Sequence, residues 1–117
     1  MKRIITKRVY DDAAQNDGYR VLVDKIWPRG VSKEEADLDE WNKDVAPSDD
    51  LRKWFDHKEE RFDEFSKKYK KELKDNQKEE LKRLKDVTKE HQLCLLFGAK
   101  DQEHHQAVVL KEILENL

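Results

Sequence analysis

Two stretches near the start of the chain alternate between apolar and polar positions, and most of the second half repeats apolar residues at helical spacing. Met1 to Tyr10 predicts a strand, with Ile4, Ile5, Val9 and Tyr10 set among lysines and arginines. Tyr19 to Trp27 predicts a second. Val21, Val23, Lys25 and Trp27 fall on one side, and Arg20, Leu22, Asp24 and Ile26 on the other. Asn16, Asp17 and Gly18 punctuate the chain between them, and Pro28-Arg29-Gly30 stops the second strand. Leu38 to Val45 alternates again and fits a short strand.

Ser32-Lys33-Glu34-Glu35 has the form of a capping box, so a short helix is expected to start there. Ser48-Asp49-Asp50-Leu51 starts another, its acids in the first turn where the helix dipole favours them. Lys58 to Lys74 sets Phe62, Phe65, Tyr69 and Leu73 on one stripe, the mark of an amphipathic helix. Asp75-Asn76 breaks it, and Gln77 to Lys89 is helical again with Leu81, Leu84 and Val87 inward. Leu93 to Ala99 is apolar throughout and too short for a core helix, which predicts a buried central strand. Asp101 to Leu117 closes the chain as a helix burying Ala107, Val108, Leu110, Ile113, Leu114 and Leu117. Strands separated by helices predict one α/β domain spanning residues 1–117. It is a small layered fold, a mostly parallel sheet with helices on both faces.

Composition narrows the partners. Charged residues make up 44% of the 117, yet 25 basic and 27 acidic side chains leave a formal charge of -2. Three Trp, three Tyr and four Phe argue for a folded chain with a solvated helical face rather than disorder. Balanced charge argues against a global pull toward nucleic acid. No apolar run approaches a membrane span and no signal-peptide core follows the basic N-terminus, so the cytoplasm is the expected compartment. The single cysteine, Cys94, excludes an internal disulfide, and its place in an apolar strand predicts inert packing.

Ligands of open α/β sheets bind beyond the carboxyl ends of the strands, which directs attention to two loops. In the first, Asp24 to Ser32, Gly30 frees the turn, Arg29 offers a planar cationic fork, and Ser32 opens a helix whose N–H groups can hold an anion. Asp24 needs a partner if buried, and Arg20 or Arg29 are the candidates. The second loop, Gly98 to His105, carries Lys100 and a histidine pair, of which His104 is the candidate for proton transfer. In the first turn of a helix its imidazole would stay neutral near pH 7. His57, His91 and Cys94 show no ligand spacing, and His104 and His105 would diverge on a helix, so no metal is expected, and the residues name no cofactor. The expected partner is an anionic small molecule. A non-catalytic module that binds a protein or senses a metabolite is the alternative.

The chain also resembles a family. Asp17-Gly18-Tyr19-Arg20, Trp27-Pro28-Arg29-Gly30, Leu38-Asp39-Glu40-Trp41, Leu51-Arg52-Lys53-Trp54-Phe55 and Leu95 to Asp101 are similar to the YeaO-like family (domain of unknown function 488). The resemblance implies a compact α/β cytoplasmic protein of bacterial type and no established activity. It departs at His105, where the family leads one to expect asparagine. More distant relatives carry a cysteine and an arginine near the second loop. His105-Gln106-Ala107 has neither, so the resemblance implies no thiol chemistry here.

Overall fold

A computed structural model describes residues 1–117. Four parallel strands form one sheet: β1 (Ile4–Arg8), β2 (Tyr19–Leu22), β3 (Glu40–Trp41) and β4 (Leu93–Phe97), in the order β1-β4-β2-β3. β4 is central, as its unbroken apolar run requires, and all five of its residues are buried. Alternation along the strands divides the core in two. Ile4, Val21, Val23, Leu93, Leu95 and Phe97 join the larger cluster. Leu22, Cys94 and Leu96 join the smaller one behind the sheet.

The larger cluster is completed by α2 (Asp49–Phe55), α3 (Phe62–Asn76), α4 (Lys78–Val87) and α5 (Gln106–Glu115). Phe65, Tyr69 and Leu73 are buried from α3, Leu81 and Leu84 from α4, as their spacing predicts. The opposite face is covered by α1 (Lys33–Ala36), a single turn held by the Ser32–Glu35 capping box, and by Trp27, Val31, Leu38 and Trp41 from the flanking loops. Helices thus lie on both faces, thickly on one and thinly on the other. No helix is long and apolar enough to cross a membrane.

Several boundaries differ from the sequence reading, each for a local reason. The β2 ladder ends one rung past Leu22, where the Val23 N–H bonds the Leu96 carbonyl. Trp27 therefore packs on the Leu22 face, edge-on to Trp41 with centroids 5.2 Å apart, and not beside Val21 and Val23. A 3-10 turn at Glu59–Arg61 precedes α3, which then continues through Asp75-Asn76 to break at Gln77. The last helix starts at Gln106 because the Asp101 carboxylate takes the N–H groups of Glu103 and His104 in a local turn. On its inner face Val109 is buried in place of Val108, and Leu117, past its end, is 60% exposed.

Gly18, at φ 88°, hands the chain into β2 against the Gln92 carbonyl, where a Cβ would stand only 2.3 Å from that oxygen. Gly18→Ala combines an unfavourable φ with a backbone clash and is expected to lose about 2 kcal/mol of stability. A urea titration checks this. A midpoint unchanged from the parent would contradict the close approach.

Candidate functional site

Neighbouring strands β2 and β4 send their chains to opposite faces. The chain leaving β2 passes through α1 behind the sheet, whereas that leaving β4 enters α5 in front of it. Such a divergence opens a crevice at the strand ends. Here it is a cleft of about 570 Å³. Asp24 follows β2, Gly98 and Lys100 follow β4, and Gln106 opens α5. Arg52 and Phe55 come from α2, His57 from the turn after it, and Phe65 from α3.

Asp24 is the centre of the site. Its Oδ2 accepts the Gly98 N–H at 2.8 Å and its Oδ1 accepts the Gln106 side-chain amide. Its backbone carbonyl accepts the Trp41 indole N–H at 2.7 Å. Burial pushes the carboxyl up to about 6, a rise that the Gly98 N–H and the charges of His57 and Arg52 oppose but do not cancel. Arg52 lies on the same cleft with little to hold it. Its Nη2 is 3.6 Å from Asp49, and its Nε is buried with no acceptor. His57 reaches the cleft through two successive left-handed residues, Asp56 (φ 48°) and His57 (φ 53°), neither of them glycine. Such backbone is strained, by about 1–3 kcal/mol each, and concentrates at functional sites.

Of the residues singled out in the sequence, Asp24 and Lys100 line this cleft. Arg20, Arg29, Gly30, Ser32 and His104 do not. Arg20 is 3% exposed, its guanidinium bonded to Asp17 (2.6 Å) and to the Ala36 and Asp37 carbonyls, so it is no partner of Asp24. Asp17 in turn accepts from Lys7 and the Ala14 N–H. Its burial would raise its pKa, but these donors win and hold the carboxyl below the usual range. Arg29 and Gly30 are exposed in the turn that closes from Pro28 to Val31, and Arg29 does not pair with Asp24 either. Ser32 spends its hydroxyl on the Glu35 N–H at 3.0 Å.

The histidine pair is also rearranged. His104 precedes α5 and lies between Asp101 (2.9 Å) and Glu59 (3.7 Å). The hydrogen bond to Asp101 and the surrounding carboxylates raise its pKa, opposite to the helix-start expectation. Glu59, Asp101 and His104 bring one metal-ligand atom each within 4.8 Å of one another. His105 is the N-cap of α5. Its Nδ1 accepts from Ala107, its Nε2 meets the Gln102 carbonyl, and its ring stacks on Phe97 at 3.5 Å. Burial depresses it to about 4. Cys94 is packed in the smaller core, and burial pushes its thiol up to about 11, a poor nucleophile.

Sequence reasoning missed Arg52, His57 and Gln106. Gln106 needed the true start of α5; the start of α2 is legible at Ser48, but the cleft that Arg52 lines is made by distant segments, and no glycine or asparagine announces the left-handed turn at Asp56-His57.

Fold and cleft together define a small parallel α/β protein with a polar crevice at a strand divergence. Residues 3–117 match the family described as "Inactive DUF488-N3 subclade", and the chain belongs to this YeaO-like DUF488 family. It is 45% identical over 111 residues to uncharacterized protein YeaO of Escherichia coli, covering 95% of this chain and 96% of that one. Uncharacterized proteins of Mycobacterium bovis and Mycobacterium tuberculosis are each 40% identical over 112 residues, covering 96% of this chain and 93% of theirs. No solved structure matches the chain.

Proposed function

We propose that the Asp24 cleft binds a small anionic molecule and that the domain acts as a receptor rather than a catalyst. The observation that carries this reading is Arg52, a guanidinium on the cleft whose Nε has no acceptor and whose only ion pair is long. Lys100 adds positive charge on the same cleft. Of the groups suited to chemistry, Cys94 is buried behind the sheet, His105 is consumed as a helix cap, and His104 is tied between carboxylates. The family description as inactive favours the same view.

A thermal-shift screen against nucleotides, sugar phosphates, carboxylates and inorganic oxyanions tests it. A ligand at about 100 times its dissociation constant adds roughly 2.7 kcal/mol, which moves the melting temperature by several degrees in a domain of this size. The shift should vanish in Arg52→Ala and persist in Arg29→Ala, because Arg29 is outside the cleft. A flat response to the whole panel, or a shift indifferent to Arg52, would sink the reading.

A further inference from the structure

We propose that the ligand is a zwitterion, its ammonium group seated on Asp24 and its acid group reaching Arg52 and Lys100. This rests on the reading of the cleft as an anion site and names the class of molecule it takes. The argument is one of unmatched charge. Asp24 is met by two neutral donors, Gly98 N–H and the Gln106 amide, and no lysine or arginine closes on it. Asp24 is half-buried, and a carboxylate drawn out of water without a cation is costly, so a site that retains one has a use for a cation from outside.

The charged and titratable groups around Asp24 can be named element by element. Lys25, next in the chain, leans toward Asp49 at 3.7 Å. α2 contributes Arg52, and the turn after it His57. The buried Tyr69 faces from α3, its hydroxyl bonded to the Val45 carbonyl. The loop after β4 contributes Lys100 and Asp101. Arg52 and Lys100 therefore line the same cleft as the carboxyl without pairing with it. A plain anion would satisfy Arg52 and Lys100 but leave Asp24 unmatched. A molecule with an ammonium at one end and a carboxylate or phosphate at the other satisfies both. Ala46, Pro47, Phe55 and Phe65 offer apolar wall for the short spacer between them.

Matched pairs test this: 4-aminobutyrate against butyrate, phosphoethanolamine against ethyl phosphate, and phenylalanine against 3-phenylpropionate. Titration calorimetry at about pH 6.5, repeated in two buffers of different ionisation enthalpy, gives affinity and counts protons. At least one amine should bind about tenfold or more tightly than its partner acid, the worth of one charged hydrogen bond. Its binding should release protons, because an ammonium draws Asp24 into its ionised form. Asp24→Asn should abolish the preference, so that amine and acid bind alike. Acids that bind as well as the amines, with proton uptake and sensitivity to Arg52→Ala, would overturn the zwitterion and leave the anion site standing. Silence from all six compounds and from the wider anion panel would remove both.

Discussion

Arg20→Met should destabilise the fold by about 3–5 kcal/mol, the usual consequence of removing one partner of a buried ion pair. Arg20 joins parts of the chain that nothing else joins so directly. Its Nη1 holds Asp17 before β2, while Nε and Nη2 hold the Ala36 and Asp37 carbonyls at the end of α1. Methionine fills comparable space but leaves those carbonyls without a donor and Asp17 with Lys7 as its remaining cation. Chemical denaturation at pH 7 measures the loss. Asp17→Asn combined with Arg20→Met should be less destabilised than the two single losses summed, because the stranded charge is then gone. A change within about 0.5 kcal/mol for Arg20→Met would place the residue outside the scaffold.

The second large effect is a pair of opposed pH dependences. Asp24 has a folded pKa of about 6, above its ordinary 3.8. Its protonation supports the fold fully below about pH 4, and that support is lost as pH rises through 6. Asp24→Asn should therefore gain stability over the parent as pH rises from 4 to 6 and hold that gain above. A shift of this size corresponds to about 2–3 kcal/mol. His105 works the other way. Its folded pKa of about 4 lies below the ordinary 6.5, because burial disfavours the charged ring; protonation would also remove the acceptor that caps Ala107. Its support is present above pH 6.5 and lost as pH falls toward 4. His105→Asn keeps a capping side chain and should gain on the parent as pH falls through that window. Thermal unfolding of the three proteins between pH 4 and 7.5 would show the two difference curves sloping in opposite directions. Parallel curves would contradict the burial of one residue or the other.

Much of this architecture is legible in the residues. The unbroken run Leu93 to Phe97 can be stable only between two strands and under two layers, and β4 lies there. The stripe through Phe65, Tyr69 and Leu73 marks the buried face of α3 wherever that helix starts. Asp24 and Lys100 could be placed at the site because a strand's end is a local property. Arg29 and Ser32 were drawn toward it by their chemistry, but their loop crosses to the back of the sheet.

The sequence alone determined the α/β class, the central strand, the faces of α3 and α4, and one carboxylate of the cleft. These depend on periodicity and on burial of apolar side chains, which act between near neighbours. The tertiary structure alone decided that Arg20 is scaffold, that His105 is a cap, and that Arg52, His57 and Gln106 share a cleft with Asp24. The last three lie from about 30 to more than 80 positions from Asp24, and only the parallel strand order β1-β4-β2-β3, sending the chains after β2 and β4 to opposite faces, brings them to one crevice.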